Sequence, residues 1–418
     1  MGGRVEYEPA SAKDLLVELK DTAELLVDLS FSAVLHGSDN VADEVLRLEK
    51  RMDVLQLRAR MTLLLAARSP ADAESLAPVL GVVAATEKMS DAAGDIAKVV
   101  REDVGLPDAM QGALPDAAES LVRGRLVADS RYADRTLGDV DLETNTGVRV
   151  IAVRRGDGDA GDWLANPGPE TTLRPADVLL LRGPTTGVEG VYETVTGTAY
   201  DPPAPSEPAV ADLGRAVTSV ALMKNMSELA VDLAYGAVLF DDDGLAEEVV
   251  ELEAEVDALK SRFEAWTLRA ATDIADPVSL RGLMQIATAT EVISDAAVEI
   301  SEGVLRGLDT HIVVQEAVEA SDEVVVRVPV GAGGELPGTT LGDQRVKTRT
   351  GMRIIAVRRG ATPDTGDVAA AGSRDGHRSP EDAWVIEPGP ETTVRAGDVL
   401  LAKGTRSGAQ KLRELAGA

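Results

Sequence analysis

Two near-copies, Gly147-Val-Arg-Val-Ile-Ala-Val-Arg-Arg-Gly156 and Gly351-Met-Arg-Ile-Ile-Ala-Val-Arg-Arg-Gly360, decide the fold of this chain of 418 residues. Each is rich in β-branched residues and bounded by glycines, which predicts a buried strand. The same offset of 204 residues relates Glu24-Leu-Leu-Val-Asp-Leu29 to Glu228-Leu-Ala-Val-Asp-Leu233. One constant offset over more than 130 residues identifies a tandem duplication, and the period is far too long for a solenoid.

The hydrophobic pattern at the start of each copy predicts helices. Apolar residues from position 15 to position 33 keep spacings of three and four, as on one face of a helix. Further helices are predicted from about Val41 to Ala67 and from about Leu76 to Val100, with breaks at Gly37-Ser38-Asp39 and Ser69-Pro70. Three helices with short connections predict an antiparallel bundle.

The pattern changes to strands later in each copy. Ser120–Val127 alternates, Val148–Val153 is β-branched and Asp177–Leu181 is short and apolar, so all three are predicted strands. A short helix is predicted from Thr136, a capping residue, to Thr146. Each copy is therefore expected to be a helical bundle followed by a small α+β domain.

Two segments read as connections. Asp201-Pro-Pro-Ala-Pro-Ser-Glu-Pro208 predicts an extended, semi-rigid linker between the copies. The second copy has a Gly- and Ala-rich insertion from Ala361 to about Glu381, which is expected to lengthen a hairpin. The predicted domains are helical bundles at 10–106 and 209–312 and α+β domains at 116–196 and 321–416.

The composition excludes several classes of protein. Without cysteine the chain has no disulfide, thiolate zinc site, iron–sulfur cluster or thiol nucleophile. The net charge of −29, from 42 basic and 71 acidic residues, repels polyanions, so nucleic acid is not an expected partner. Dispersed acid with little lysine predicts a halophile's protein, and an ordinary acidic mesophile protein is the alternative. No stretch approaches the ~20 apolar residues of a membrane helix, and the N-terminus has no apolar signal segment, which together predict a soluble cytoplasmic protein.

The strand region resembles the TrkA-C domain, the C-terminal regulatory module of potassium-conductance regulators. The first copy carries the resemblance at Gly138-Asp139, at Gly147–Gly156, at Asn166-Pro-Gly-Pro169 and from Leu173 to Gly183; the second carries it from Gly342-Asp343 to Gly404. Full regulators place a nucleotide-binding Rossmann domain before this module. None is visible here, so gating by NAD or ATP is not implied.

The helical region resembles the PhoU family. The resemblance lies in the third helix, at Glu87-Lys-Met-Ser-Asp-Ala92 and Glu291-Val-Ile-Ser-Asp-Ala296, where the family has Glu-Arg-x-x-Asp-His. Here Lys or Val replaces the arginine, and Ala replaces the histidine. The two resemblances together imply an α+β multidomain protein, in which two PhoU-like antiparallel helical bundles alternate with two small α+β TrkA-C domains.

Carboxylate pairs recur on the predicted helices as Glu-x-x-x-Asp, which places both side chains on one helix face. Carboxylates of adjacent helices can share a divalent metal, and PhoU relatives hold metal clusters on such pairs, so the resemblance implies the same here. A solvated acidic face is the simpler interpretation, because an acidic chain contains about three such pairs by chance. The candidate metal ligands are Glu24, Asp28, Glu87, Asp91, Glu228, Asp232, Glu291 and Asp295, and the same spacing recurs at Glu49/Asp53 and Glu253/Asp257.

The TrkA-C resemblance also implies a ligand site. In relatives these domains pair about a two-fold axis, and some bind cyclic di-AMP between them through a polar residue, an adjacent aliphatic residue and a proline. An arginine at the polar position suits a phosphodiester, as a bidentate donor. The alternative is that the arginines lie on a solvated strand face and pair with nearby acid. The matching positions are Arg149, Val150, Pro167, Arg353, Ile354 and Pro388.

Two further patterns predict no chemistry. Gly156-Asp-Gly-Asp-Ala-Gly161 fits GxGxxG, but it opens no helix and its aspartates repel a pyrophosphate, so it is expected to be a hairpin tip. His36, His311 and His377 are scattered and unmatched between the copies, so they predict no catalytic or metal site. With no nucleophile–base pair beside them, the chain is not expected to be an enzyme.

The duplication is expected to fuse what relatives form as a homodimer. The two TrkA-C copies and the two bundles should then pair within one chain, and further homo-oligomerisation stays open. The predicted function is a non-catalytic regulator of potassium or other cation transport. Its TrkA-C pair would bind a small anionic effector such as cyclic di-AMP, and its bundles would relay the change to a channel or transporter subunit. A PhoU-like metal-binding adaptor in phosphate-uptake signalling and a structural subunit of a channel complex are the alternatives.

Overall fold

The computed structural model describes residues 11–110, 120–156, 162–165, 167–183, 185–201, 208–308, 311–321, 324–359, 384–386 and 388–418. The predicted hairpin tip at 157–161, most of the linker (202–207), His377 and the insertion from Ala361 to Glu381 lie outside these residues. The sequence interpretations of those segments stay predictions.

The first bundle consists of α1 (Ala12–His36), α2 (Asp39–Ala66) and α3 (Pro70–Arg101). Gly37, with a left-handed φ of 54°, ends α1 by bonding to carbonyls of its last turn. Ser38 caps α2, and Ser69 caps α3 with Pro70 in its first turn. Because Ser69 and Pro70 together start α3, the helix begins before the predicted Leu76.

The strand region of the first repeat, called the first module below, consists of β1 (Ser120–Arg125), α4 (Leu137–Val140), α5 (Leu142–Thr146), β2 (Arg149–Arg155), β3 (Asp162–Ala165), β4 (Val178–Gly183) and α6 (Thr185–Thr196). Its four strands form an antiparallel sheet with the order β1-β4-β2-β3. The predicted helix from Thr136 is capped by that residue, but it divides in two at Asp141, whose φ is 49°.

The second repeat has the same plan. Its bundle consists of α7 (Ala211–Phe240), α8 (Asp243–Asp273) and α9 (Arg281–Leu305), and one more helix, α10 (Ile312–Ala320), follows it. The second module consists of β5 (Val324–Pro329), α11 (Val346–Thr350), β6 (Arg353–Arg358), β7 (Trp384–Ile386), β8 (Val399–Gly404) and α12 (Arg406–Ala416). Its strands have the order β5-β8-β6-β7.

A bulge at the same place in both modules lets each sheet pack on its two faces. The register of β2 against β4 shifts between Val150 and Ala152. Val150 packs in the core of the module, whereas Ile151 and Ala152 both join the core of the bundles. The register of β6 against β8 shifts in the same way between Ile354 and Ala356. Each sheet therefore presents one apolar face to the helices of the bundles.

The two bundles pack on each other and share one continuous hydrophobic core. α3 packs along α9, and α10 packs against both α1 and α7. At the edge of this contact the backbone N–H of Gly282 donates to the carbonyl of Gly105 at 2.8 Å. The prediction that the two bundles pair within one chain is confirmed.

The two modules do not pack on each other in this way. Each has a core of its own on the side away from the bundles. In the part of the chain that the structure describes, no helix or strand of one module packs extensively against one of the other. The predicted pairing of the two strand modules is therefore not found among the described helices and strands, and bundle helices cover the apolar face of each sheet.

Candidate functional site at the junction of bundles and sheets

Charged side chains line the contact between the sheets and the first helix of each bundle. We call this set the junction. It comprises Lys20, Asp21, Glu24 and Asp28 on α1, Lys224, Glu228 and Asp232 on α7, and Arg149, Arg182, Arg353 and Lys403 on the strands. The carboxylates of α1 and α7 predicted as metal ligands and the arginines predicted as effector ligands therefore belong to the same region.

Lys403 connects three elements at the junction. From β8 its Nζ donates to Oδ1 of Asp232 on α7 at 2.5 Å and lies 3.6 Å from Oε1 of Glu24 on α1. The same oxygen of Glu24 lies 3.0 Å from Nζ of Lys20. One cation of the second module thus contacts carboxylates of both bundles.

The carboxyl of Asp232 is buried, which disfavours its charged form. Complete burial raises its pKa above the ordinary value. Lys403 and Arg353 oppose that rise, and the charge of Glu24 adds to it. Arg353 stands opposite Lys403 in the register of β6 and β8. The pKa of Asp232 therefore depends on two cations that both belong to the second module.

The first repeat has a simpler version of the same contact. Arg182 of β4 takes the position of Lys403 and lies 2.8 Å from Oδ2 of Asp28. Arg149 stands opposite Arg182 in the register of β2 and β4. Glu228 pairs with Lys224 of its own helix at 2.7 Å. Both predicted arginines thus lie on bundle-facing sides of their sheets rather than on a solvated strand face.

The two bundles also exchange cation–π contacts across the junction. Nζ of Lys20 lies 4.9 Å from the ring centre of Tyr235, and Nζ of Lys224 lies 5.7 Å from that of Phe31. The residues of these two contacts are related by the offset of the duplication. The hydroxyl of Tyr235 is buried and has no hydrogen-bond partner among the described residues. Burial raises its pKa well above the ordinary value.

The other predicted effector residues do not face the junction. Val150 is buried in the core of the first module, and Ile354 packs against the core of the second. Pro167 and Pro388 are half-buried beyond β3 and β7. Neighbouring residues of a strand point to opposite faces, so each arginine and its adjacent aliphatic residue do not line one surface.

The predicted metal ligands are divided between two regions. Glu87 and Asp91 lie at the contact of α2 and α3, where Glu87 pairs with Arg60, and not beside Glu24 and Asp28. In the second repeat Glu291 likewise pairs with Lys260, and Asp295 lies near Glu291. The structure therefore does not bring the predicted quartet of each repeat together.

Carboxylates do gather at the contacts of α2 with α3 and of α8 with α9. Burial, helped by the charges of Glu87, Asp53 and Asp95, raises the pKa of Asp91. The pKa of Asp295 is raised by burial and its own acidic neighbours, and those of Glu49 and Glu253 are raised for similar reasons. Within the described ranges, however, no three of these residues are arranged to hold a metal ion. Metal binding by these carboxylates stays a prediction.

Sequence reasoning missed four cations of the junction, Lys20, Lys224, Arg182 and Lys403. Lys20 and Lys224 occupy the same place in the two copies. This recurrence in a chain poor in lysine was the available signal. Lys403 and Arg182 gave no such signal, because their role depends on how each sheet docks on the helices. The described histidines act separately: His36 bonds to Tyr200, and His311 caps α10.

Family models match both kinds of domain. The PhoU domain model matches residues 16–100 and again 220–304, and the TrkA-C domain model matches residues 121–196. The chain carries two PhoU domains and a TrkA-C domain. The second module repeats the strand order, bulge and buried aspartate of that TrkA-C domain, with Asp398 accepting from the backbone N–H of Arg395 as Asp177 does from Arg174.

Solved structures with the same kinds of domain are similar at low identity. PhoU from Pseudomonas aeruginosa is 12% identical over 71% of this chain and 96% of its own, with a TM-score of 0.41. The GsuK RCK domain is 15% identical over 72% of this chain and 64% of its own, with a TM-score of 0.18. The GsuK channel bound to NAD is 15% identical over 72% of this chain and 54% of its own, with a TM-score of 0.18. No curated protein matches the chain.

The domains indicate a general role. PhoU and TrkA-C domains are regulatory, non-catalytic modules, which supports a regulatory role for this chain in ion or phosphate transport. Among the described residues, no helix combines the length and the apolar character needed to cross a bilayer.

Proposed function

We propose that this chain is a cytoplasmic regulatory subunit for the transport of potassium or another cation. In this proposal a small anionic effector, with cyclic di-AMP as the first candidate, binds at the arginines of the TrkA-C modules. The PhoU bundles then relay the change to a channel or transporter subunit. The two bundles and two modules of one chain supply both the sensing and the relaying parts.

The observation that carries the proposal is the position of Lys403 between Asp232 and Glu24, with Arg353 beside it. A phosphodiester bound by Arg353 would compete with Asp232 for the cations of the second module. Asp232 is buried, so a loss of its cations favours either protonation or movement of α7 away from β8. Effector binding and the position of α7 are thereby coupled, because the contacts of Asp232 differ between the effector-bound and the effector-free state.

Calorimetric titration with cyclic di-AMP in molar KCl tests the effector. We expect binding to the unaltered protein and at least tenfold weaker binding to Arg353→Ala. The matched control is Arg306→Ala, which removes an exposed arginine at the end of α9 that pairs with Glu302 one turn before it. Absence of heat at high protein concentration removes cyclic di-AMP as the effector, and equal affinity in both variants removes Arg353 as its ligand.

Copurification tests the partner. Tagged protein isolated from gently solubilised native membranes is expected to retain a cation channel or transporter subunit, and the retained amount should change when the effector is added. Recovery of a phosphate transporter instead would favour the second candidate.

That second candidate is an adaptor in phosphate-uptake signalling, and the two PhoU domains favour it. Its metal-binding part is less well supported, because Glu24 and Asp28 are paired with Lys20, Lys403 and Arg182. Metal analysis of protein purified without a histidine tag decides this part. Stoichiometric iron or zinc that is lost in the Glu24/Asp28/Glu87/Asp91 quadruple alanine variant would support a metal-binding adaptor.

A further inference from the structure

The first repeat contains an open cleft along one edge of its sheet. The cleft has a volume of about 730 Å³ and is lined by most of the chain from Leu121 to Ala128, by the end of α1 and the start of α2, and by residues at and beyond the end of α6. β1 is an edge strand, because the order β1-β4-β2-β3 gives it a single neighbour among the described strands. The cleft therefore follows a strand edge that no other described strand occupies, and the function proposed above makes no use of it.

Hydrogen bonds just beyond the end of β1 show which of its backbone groups face the cleft. The N–H of Leu126 donates to the carbonyl of Asp177 at 2.8 Å, and the carbonyl of Leu126 accepts from the N–H of Ala176 at 2.8 Å. Leu126 thus bonds on the side of β4. Successive residues of an antiparallel strand direct their N–H and C=O groups to opposite sides. Arg123 and Arg125 therefore direct theirs to the free edge.

Two contacts limit the free part of this edge. Oγ of Ser32 donates to the carbonyl of Leu121 at 2.6 Å at one end, and the N–H of Val127 donates to the carbonyl of Val195 at 2.9 Å at the other. Between these contacts the backbone N–H and C=O of Arg123 have no hydrogen-bond partner among the described residues. At ~3.4 Å per residue the segment is about 20 Å long, which matches an extended peptide of about five residues.

The second repeat closes the equivalent edge with a proline. Val330 bonds on the side of β8 as Leu126 bonds on the side of β4, so Pro329 directs its backbone to the free edge of β5. Pro329 stands in place of Arg125 and has no N–H to donate. Proline on an edge strand prevents pairing with a further strand. The fold therefore tolerates a blocked edge at this place, and the first repeat has an open one.

The two sides of the cleft differ in character. The polar side chains of His36, Ser38 and Asn40 lie on the side of the bundle, and apolar atoms of Tyr192 and Ala199 lie on the side of the module. The side chains of an added strand would alternate between these two sides, since cross-strand neighbours share a face of the sheet. Small polar residues suit the first side, and aliphatic residues suit the second.

We propose that the free edge of β1 binds an extended segment of a partner protein by strand addition, with small polar residues toward the bundle and aliphatic residues toward the module. Main-chain hydrogen bonds supply the affinity, and the alternation of side chains supplies the specificity. Structure flanks the edge on both faces, so the equally flanked β1 of a second copy cannot approach it, whereas a single extended chain can. The segment 202–207 that follows the cleft has proline at three of its six positions, which makes it a poor pairing strand.

Fluorescence anisotropy of a labelled peptide in molar KCl tests the proposal on the full chain. The peptide is a capped Ser-Val-Thr-Val-Thr-Val-Ser. Arg123 directs its backbone to the free edge and its side chain to Glu44 of the bundle, so the peptide residues that bond to β1 also have their side chains on the bundle side. We expect N-methylation of the threonines to weaken binding at least tenfold and N-methylation of the valines to leave it unchanged. No binding at millimolar peptide, or equal effects of the two methylations, would overturn the proposal.

A matched pair of substitutions at Arg125 locates the site. Arg125→Pro gives this edge the proline that the second repeat has, and Arg125→Gln removes the same charge but keeps the backbone N–H. We expect at least tenfold weaker peptide binding in Arg125→Pro than in Arg125→Gln, and equal binding by the two would contradict the site. Thermal melts establish that both variants are folded. The N-methylated peptides test the same contact in the unaltered protein, so the proposal stays falsifiable if Arg125→Pro does not fold.

Two results would assign the edge to a different occupant and overturn the proposal. Peptide binding that appears only after removal of residues 1–10 would mean that the chain's own N-terminal segment occupies the edge. Peptide binding that requires dissociation of a dimer, measured by analytical ultracentrifugation, would mean that a second copy does. Peptide binding and cyclic di-AMP binding depend on different residues, so the loss of one with retention of the other separates this site from the proposed effector site.

Discussion

The two repeats use the space between sheet and bundle in different ways. In the first, Arg123 and Arg154 turn inward to the buried Glu44 and leave an open cleft beside them. In the second, Arg327 and Arg358 lie against Trp384 and both approach Asp242. The same pair of strand arginines is therefore compatible with a filled or an open contact between sheet and bundle.

The largest expected difference between the repeats concerns these two acids. Glu44→Gln removes the charge on which three guanidinium groups rely, and Arg154 is only 5% exposed, so we expect a loss of about 3–5 kcal/mol in the free energy of unfolding. Asp242→Asn keeps the cap of α8, and Arg327 retains its aromatic contacts, so the expected loss is about 1 kcal/mol. Urea denaturation in molar KCl measures both. Equal losses would mean that the two contacts are energetically alike.

The next largest difference concerns the cations at the junction. Lys403→Met leaves Asp232 buried without its nearest cation, and we expect a loss of about 3 kcal/mol at neutral pH. Arg182→Met should cost about 1 kcal/mol, because the side chain of Asp28 is 24% exposed. Adding Asp232→Asn to Lys403→Met should recover most of the larger loss.

The loss in Lys403→Met should also depend on pH in a defined direction. The folded pKa of Asp232 lies above the ordinary 3.8, so the folded chain binds the proton more readily than the unfolded chain. Stability therefore falls as pH rises from 3.8 through the folded pKa, and removal of Lys403 raises that pKa further. The variant should approach the stability of the parent as pH falls through this window, and a loss independent of pH would contradict the assignment.

A smaller effect is expected from the hydrogen bond between Tyr200 and His36, which Phe240 replaces in the second repeat. Tyr200→Phe removes the hydrogen bond to His36 and should cost about 1 kcal/mol. Burial raises the pKa of Tyr200 to about 12 from the ordinary 10.0, so the folded chain holds this proton longer than the unfolded chain does. Part of the stability of the parent is then lost as pH rises from about 10 to about 12, and this part should be missing in Tyr200→Phe. Absorbance titration of tyrosine at 295 nm and thermal melts across that pH range measure it.

The smallest effect is expected at an exposed pair between the bundles. Lys88 of α3 pairs with Glu299 of α9, with exposed fractions of 47% and 35%. Lys88→Gln should change the free energy of unfolding by less than about 0.5 kcal/mol, and less still in molar salt. A loss as large as that of Lys403→Met would show that exposure does not distinguish the two contacts between repeats.

Much of the architecture could be predicted from local signals and from the duplication. Gly37, Ser38 and Ser69-Pro70 mark helix ends through backbone chemistry that acts within a few residues. The repeated Arg-Arg stretches mark the central strand of each sheet. The bundles and α+β domains followed from such signals, the two PhoU domains and the TrkA-C domain followed from resemblance to those families, and all are confirmed. The start of α3 was predicted too late, at about Leu76 instead of Pro70.

The candidate site depended on contacts that no local pattern carries. Lys20 meets Ser321 across 301 positions of the chain, and Lys403 meets Asp232 across 171. The pairing of the two modules was expected from relatives that work as dimers, but here bundle helices pack on one apolar face of each sheet. The arginines were placed on the right strands, but the face they occupy depends on the docking of each sheet.

The reciprocal contacts of Lys20 with Tyr235 and of Lys224 with Phe31 have a consequence for how such a chain can change. In a homodimer a single codon specifies both halves of a symmetric contact, so every substitution is made twice. Here the two halves are encoded separately, and one holds a phenol where the other holds a plain ring. Each half can acquire a new property while the other preserves the original assembly.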